Sequence, residues 1–220
     1  MTGEKKDFKS NTGFRGATLE EVGNSFTGMG SKLTKPELLL HSCCGPCSTS
    51  VIERLMPDYK ITVFYFNPCI TDREEYEKRK ANQKAFIDAF NRETPCVGKV
   101  KFIEGDYEPE KYFALVKGLE DEPEGGKRCS VCFRQRLEET AKKAQALEMD
   151  LFTTTLTVSP HKDYDLISSI GKALQEEYGV EFLDIDFKKK AGFQRSIQLA
   201  KKHGLYRQDY CGCEFSKRKE

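Results

Sequence analysis

From residue 36 onward, short apolar runs alternate with longer amphipathic segments. The apolar runs lie at 37–41, 60–67, 99–105, 150–156 and 180–187, and they are rich in leucine, β-branched and aromatic residues, as strands are. The segments between them have helical periodicity, with Asp72 placed to cap one helix and Gly179 placed to end another. This alternation predicts an α/β fold, a single Rossmann-like domain with about five parallel strands and helices on both faces.

The first helix and the N-terminal region lead to two further predictions. The segment "STSVIERLM" predicts a helix capped by Ser48 or Thr49, and Pro109 suits the first position of a later helix. Residues 1–34 are polar and rich in glycine, serine, threonine and lysine, which predicts a disordered extension. We therefore expect one α/β domain over 35–220, which ends in a cysteine-containing segment.

Composition narrows the class of protein only slightly. The chain has 220 residues, of which 38% are hydrophobic, and this suits one domain with a real core. The sequence lacks both an apolar run long enough to span a membrane and an N-terminal stretch of signal-peptide type, so we expect a cytoplasmic protein without a membrane partner. The net charge of +1 neither indicates nor excludes nucleic acid, because only the local distribution of charge matters.

Cysteine usage is the strongest chemical signal. The chain has nine cysteines, and clustered cysteines in a reducing compartment indicate metal binding or redox chemistry more often than structural disulfides. Cys43, Cys44 and Cys47 follow the first strand, and Cys129 and Cys132 form a C-x-x-C at the start of a helix. The C-x-x-C suits half of a zinc site, a redox dithiol or two ligands of an iron–sulfur cluster. Because the two groups belong to different βα units, they suit a cluster in a cleft better than a compact zinc knuckle.

The C-terminal "CGC" adds a third thiol group. A disulfide between Cys211 and Cys213 closes a small, strained ring, and strained disulfides are the labile kind, so we expect a redox pair or metal ligands. Cys69 follows the second strand and stays undecided, whereas Cys96 lies far from every group. None of the usual glycine-rich phosphate loops is present, and this argues against binding of ATP or a dinucleotide.

Several motifs in one order resemble a known family, the QueH-type epoxyqueuosine reductases. The resemblance runs from about Glu37 to about Ser216, and it is carried by "LLLHSCCGPCS", "FYFNPCITDREEYEKR", "KRCSVCFRQRLEETAKKA", "LFTTTLTVSPHKDYDLISSIG", "YGVEFLDIDFKKKAGFQRS" and "LYRQDYCGC". It implies a fold like that of the adenine nucleotide alpha-hydrolases. It also implies reductive removal of the epoxide oxygen of epoxyqueuosine at the tRNA wobble position, the last step of queuosine formation.

The resemblance also implies cofactors and partners. It implies a 4Fe-4S cluster without cobalamin, one additional iron, a tRNA that carries epoxyqueuosine in its anticodon loop, and an external electron donor. Cys47 and Cys69 stand where other members carry Asp and Asn. By their matches to the family motifs, the cluster ligands are Cys43, Cys44, Cys129 and Cys132, the redox pair is Cys211 and Cys213, and the additional iron has Cys47, Cys211 and Cys213 as candidate ligands.

Chemical reasoning adds further candidates and two rival functions. His161, Lys162 and Tyr164 follow the fourth strand and are candidate proton donors. Arg195, Ser196 and Arg207 are candidates for tRNA phosphates, and Tyr206 or Tyr210 for stacking on a base. The rivals are an ATP-dependent, cluster-containing tRNA thiolation enzyme, which the missing phosphate loop disfavours, and a zinc-stabilised RNA-binding module.

Overall fold

The computed structural model describes residues 35–96 and 98–217 of the chain, so the predicted extension at 1–34 lies outside the described residues. Across these ranges the strands are β1 (Glu37–His41), β2 (Lys60–Tyr65), β3 (Lys101–Glu104), β4 (Leu151–Thr154) and β5 (Glu181–Phe182). The α-helices are α1 (Gly45–Leu55), α2 (Arg73–Glu93), α3 (Pro109–Leu115), α4 (Lys127–Ala146), α5 (Tyr164–Tyr178) and α6 (Gly192–Lys202).

The five strands form one parallel sheet in the order β3-β2-β1-β4-β5, which confirms the predicted fold class. β1 lies at the centre and reads as a continuous apolar run because both of its faces are covered. Leu38 and Leu40 pack with α1, α2 and α6, whereas Leu39 packs with α4 and α5 on the opposite face. Each such leucine, removed from water, contributes roughly 1.5–3 kcal/mol to folding.

Most helix boundaries follow from local chemistry. The side chain of Asp72 accepts from the backbone amides of Glu74 and Glu75, and Gly179 ends α5 with a left-handed φ of 67°. Both predictions are therefore confirmed. Pro109 stands in the first turn of α3, as predicted.

Two boundaries differ most from the prediction. Helix α1 begins at Gly45, with Cys44 as its N-cap, so the predicted cap at Ser48 or Thr49 is wrong. Pro46 is pre-organised for a first helical turn, and the hydroxyls of Ser48 and Thr49 instead donate back to the carbonyls of Gly45 and Pro46. Strand β5 has only two residues, because the chain after Phe182 leaves the sheet edge.

Candidate thiol and metal centre

The strand order places the cysteine loop at the switch point of the sheet. The chain builds outward from β1 to β3 on one side and continues with β4 and β5 on the other, so connections diverge between β1 and β4. Ligands of open α/β sheets bind at this point, beyond the carboxyl ends of the strands. Cys43 and Cys44 follow β1 here, and Lys162 follows β4.

Three thiols converge immediately after β1. The sulfurs of Cys43, Cys44 and Cys47 all lie within 4.8 Å of one another, and those of Cys43 and Cys44 are 3.9 Å apart. The early start of α1 produces this convergence, because it turns the chain at Gly45 and places Cys47 in the first helical turn. Hydrogen bonds from Cys44 and Cys47 hold the pKa of Cys43 well below its usual range, against the opposing effect of burial.

A second thiol pair lies beside the C-terminal segment. Cys69 and Cys132 pack in one apolar cluster with Cys213, and the Cys132 thiol donates to the Cys69 sulfur. This bond lowers the pKa of Cys69 to about 6, although burial opposes the shift. Cys129 is only half-buried, and its sulfur accepts from the Gly125 amide at 3.2 Å.

Arg79 anchors the segment that carries Cys211 and Cys213. Its guanidinium pairs with Glu75 at 2.6 Å and donates to the carbonyls of Cys211 and Tyr210 at 3.0 and 3.2 Å. Gly212 between the two cysteines has a φ of 115°, and a Cβ there lies 2.8 Å from Ile70 Cγ1 and 3.0 Å from Arg79 Nη1. The geometry therefore requires glycine at this position.

Gln208 connects the same segment to the first thiol group. Its side-chain amide donates to the Cys44 sulfur at 3.1 Å. Together with Arg79, this bond fixes the C-terminal cysteines over the sheet edge rather than leaving them on a frayed end. The sequence offered no sign of either contact, because both partners are more than 120 residues away from the cysteines they reach.

Two cations lie among the thiols. Arg136 is 1% exposed, donates to the Cys132 carbonyl at 3.3 Å, and makes no ion pair with a carboxylate of any described residue. One of its terminal nitrogens, Nη2, has no hydrogen-bond partner in the described part of the chain. Burial lowers the pKa of Arg136, but the sulfurs of Cys132 and Cys69 reverse this and raise it above its usual range.

Lys162 is the second cation. Its ammonium lies 3.7 Å from the Cys211 sulfur. Burial lowers the pKa of Lys162, but the thiols of Cys211 and Cys43 outweigh burial and raise it above its usual range. His161, one residue earlier, has an exposed side chain, so the structure brings only Lys162 into the thiol group.

His41 is the last residue of β1 and lies directly before the cysteine loop in the chain. It is fully buried, its Nδ1 lies 2.9 Å from the Thr154 hydroxyl, and its Nε2 lies 3.1 Å from the Phe66 carbonyl. Burial and the nearby Arg136 lower its pKa to about 4, so it is neutral at pH 7. Since only Nε2–H can donate to the carbonyl, Nδ1 accepts from Thr154, and the histidine is a structural bridge between β1, β2 and β4.

These side chains fit a thiolate-bound metal group. Two thiolates bound to one tetrahedral metal ion, at metal–sulfur distances of about 2.3 Å, lie roughly 3.8 Å apart, close to the Cys43–Cys44 spacing. A buried guanidinium without a carboxylate is costly unless negative charge lies beside it, and thiolates that ligate a metal supply that charge. Soft thiolate ligands suit iron–sulfur clusters and zinc alike.

The residues predicted to contact tRNA differ in their surroundings. Arg195 is exposed but is held by a two-pronged ion pair with Glu53, at 2.7 and 2.8 Å. Ser196 is buried and donates to the Phe193 carbonyl at 2.7 Å, which leaves no exposed hydroxyl for a phosphate. The Tyr206 hydroxyl donates to Glu75, whereas Arg207 is exposed. Their role in binding tRNA stays a prediction.

The fold and this centre define a class: α/β proteins with a thiol-rich, metal-compatible site at the switch point of a parallel sheet. The family model for "Epoxyqueuosine reductase QueH" matches residues 38–219. The chain belongs to the QueH family of epoxyqueuosine reductases, as the sequence motifs predicted.

Relatives from distant bacteria support this assignment. The chain is 43% identical over 182 residues to an epoxyqueuosine reductase QueH of Streptococcus pyogenes serotype M1, which covers 83% of this chain and 71% of that protein. A protein of the same name from Staphylococcus epidermidis is 43% identical over 84% of this chain and 78% of its own length. One from Thermotoga maritima is 36% identical over 81% and 89%.

Proposed function

We propose that this protein is an epoxyqueuosine reductase, an oxidoreductase that removes the epoxide oxygen of epoxyqueuosine at the wobble position of tRNA and forms queuosine. The observation that carries the proposal is a thiol centre at the sheet's switch point, in a chain of the QueH family. The partners are tRNA with the modified base in its anticodon loop and an external electron donor. Within the described residues, no helix combines the length and apolar character needed to cross a membrane. We propose a cytoplasmic location, where tRNA is found.

The proposed cofactor is a 4Fe-4S cluster held by Cys43, Cys44, Cys129 and Cys132, without cobalamin. When bound, such a cluster supplies single electrons at a potential that its protein surroundings set. Arg136 lies where it would offset the negative charge of the ligating sulfurs. We propose one additional iron beside the cluster, with ligands drawn from Cys47, Cys211 and Cys213.

The dithiol of Cys211 and Cys213 matches the reaction in electrons and protons. Conversion of an epoxide to an alkene takes up two electrons and two protons and releases water. Oxidation of two thiols to a disulfide gives up two electrons and two protons. One turnover therefore leaves a Cys211–Cys213 disulfide, which the external donor must reduce before the next turnover.

Lys162 and His161 are the proposed proton-carrying groups. The Lys162 ammonium lies against the Cys211 sulfur, so it stabilises the thiolate and can return a proton to the departing oxygen. His161 directly precedes Lys162 in the chain and has an exposed side chain.

Replacing Lys162 with Gln tests this assignment through pH. Burial raises the pKa of Cys211, and Lys162 partly offsets that rise. Without the lysine the pKa of Cys211 rises further, so its thiolate forms only at higher pH. We expect turnover to fall at neutral pH and the pH profile of Cys211 alkylation to move upward. His161→Gln is the comparison variant; if Lys162→Gln leaves that profile in place, Lys162 does not act on Cys211.

Two cysteine variants distinguish the proposed role of the cluster ligands from that of the redox dithiol. Cys129→Ala should lose cluster absorbance and turnover together, because it removes a proposed ligand. Cys211→Ser should abolish turnover and leave cluster absorbance largely intact. Cys96→Ser, at an exposed cysteine remote from the centre, is the matched control. Normal turnover by Cys211→Ser would refute the redox-pair role.

Iron and sulfide content of anaerobically purified protein, with its visible spectrum, tests the proposed function most directly. Iron and sulfide together with ATP-independent conversion of epoxyqueuosine in tRNA support the reductase. A strict ATP requirement would instead indicate the cluster-containing tRNA thiolation enzyme. Colourless protein that contains zinc and lacks iron would indicate the zinc-stabilised RNA-binding module.

A further inference from the structure

The loop that leads into α6 is an exposed basic turn beside the thiol centre. We call Lys188, Lys189 and Lys190 the lysine turn. Lys188 is half-buried, and Lys189 and Lys190 are exposed. Their only carboxylate neighbour in the described part of the chain is Asp186, 3.6 Å from Lys188 and 3.8 Å from Lys189. Three cations therefore share one acid, and the turn keeps an excess of positive charge.

Several other basic groups of the fold are paired with carboxylates. Arg195 is paired with Glu53, Lys202 with Glu93, and Lys80 with both Glu77 and Glu104. Lys142 likewise contacts two glutamates on its own helix. In the lysine turn, by contrast, one carboxylate is shared and two lysines are exposed, so its cations face solvent with little compensation.

The turn is fixed to the edge of the sheet that carries the centre. The backbone amide of Lys188 donates to the Thr157 carbonyl at 3.1 Å, in the short 3₁₀ helix (Thr155–Val158) that follows β4. Lys162 lies four residues beyond this helix and reaches the Cys211 sulfur. The segment that follows β4 therefore contacts both the lysine turn, through Thr157, and the reactive thiols, through Lys162.

Tyr164 joins the turn to Lys162. The ammoniums of Lys188 and Lys189 lie 5.6 and 5.9 Å from the centre of its ring. The Tyr164 hydroxyl donates to Asp184 at 2.9 Å, which holds the ring in place. The basic surface thus begins two residues from the lysine that contacts the reactive thiol.

The shape of the turn is set by the backbone. Lys190 and Ala191 have left-handed φ values of 54° and 60°. A Cβ at Gly192 would lie 1.8 Å from the Phe187 carbonyl oxygen, so only glycine lets the chain close so tightly. Helix α6 begins there without an acidic residue in its first turn, and the positive end of its dipole adds to the positive potential.

We propose that the lysine turn binds backbone phosphates of the RNA next to the nucleotide that enters the thiol centre. The inference rests on the proposed function and assigns to it a contact surface. Lysines act on phosphates as point charges and set the position of the nucleic acid, whereas the centre reads the modified base. Within this proposal the lysine turn is the main phosphate contact, whereas Arg195 is ion-paired and Ser196 is buried.

A charge-matched pair of triple variants tests the proposal. The test variant carries Lys188→Gln, Lys189→Gln and Lys190→Gln, and the control carries Lys60→Gln, Lys142→Gln and Lys143→Gln. The control lysines lie at the start of β2 and near the end of α4, away from the carboxyl ends of the strands. The iron-loaded proteins are compared for binding of tRNA across a salt series, with iron content and visible spectrum as checks on folding.

We expect the test variant to bind tRNA on the order of tenfold more weakly, and the slope of log affinity against log salt to fall by about 2–3. The control should behave like the unaltered protein. Equal affinity and slope in the test variant and the control would overturn the lysine turn and leave the reductase proposal standing. Failure of the unaltered protein to convert epoxyqueuosine in tRNA would instead overturn the reductase, and the phosphate assignment with it.

Discussion

Replacing Arg136 with Met should destabilise the iron-loaded protein by about 3–5 kcal/mol, and leave the metal-free protein at pH 5 unchanged or up to about 4 kcal/mol more stable. The guanidinium is buried, and within the described chain it has neither a carboxylate partner nor a full set of hydrogen bonds. The free-energy cost of burying this charge is offset only when a negatively charged sulfur lies beside it.

The metal-free protein is to be measured at pH 5 because the Cys69 thiol, whose pKa is about 6, is mostly protonated there. The pKa of Cys69 is lowered to about 6, so the stability its thiolate contributes is present above its ordinary pKa and is lost as pH falls through 6. At pH 5 Arg136 therefore has one anionic neighbour fewer. Denaturant unfolding of both forms measures the two changes, and the visible spectrum reports cluster retention.

Arg128→Met is the matched control, because Arg128 is also buried but donates to the carbonyls of Leu119, Glu120 and Glu122. Its loss should destabilise the metal-free and loaded proteins alike, since those carbonyls lose a partner in both. If Arg136→Met also lowers the stability of the metal-free and iron-loaded proteins by the same amount, Arg136 is not the internal counter-ion of the centre. Arg136→Lys keeps the charge and should retain more of the cluster than the methionine variant.

Periodicity predicted the fold well because hydrophobic patterning encodes it locally. Strand β1 is a run of three leucines buried on both faces, and α2 begins at a capping aspartate. The N-cap of α1 was predicted four or five residues too late, since Ser48 and Thr49 look like N-caps in sequence while Pro46 decides the turn in the fold. Strand β5 was predicted too long because an apolar pattern continues after the chain has left the sheet.

The sequence predicted only those features of the thiol centre that the spacing of the cysteines along the chain indicates. Proximity in sequence grouped Cys43 with Cys44, and strand ends placed them at one edge of the sheet. The neighbours that tune these thiols come from other elements: Arg136 from α4, Arg79 from α2, and Gln208 from the C-terminal segment. Cys69 could not be assigned, because its contact with Cys132 depends on how α4 meets the loop after β2.

Replacing Gly212 with Ala should abolish most turnover while the cluster cysteines still hold their iron. The φ of 115° suits glycine alone, and the new methyl group would lie 2.8 Å from Ile70 and 3.0 Å from Arg79. Strain of this kind costs about 1–3 kcal/mol, and it falls on the anchor that holds Cys211 and Cys213 against the sheet edge. We therefore expect the segment to lift, which separates Cys211 from Lys162 and exposes both thiols. Faster alkylation of Cys211 and Cys213, read out by peptide mass, measures this release.

Gly179→Ala separates this effect from a general loss of stability. Gly179 also has a left-handed φ, of 67°, but open space surrounds the position of its Cβ, so only backbone strain is added at the end of α5. That variant should lose about 1–2 kcal/mol of stability and keep both turnover and protected C-terminal thiols. Because a Cβ at Gly212 would meet Arg79 and one at Gly179 would meet open space, equal alkylation rates and equal turnover in the two variants would show that the position of the "CGC" segment is irrelevant to the reaction. Slow turnover with exposed thiols in Gly212→Ala alone would show that the dithiol works only when Arg79 holds it beside Lys162.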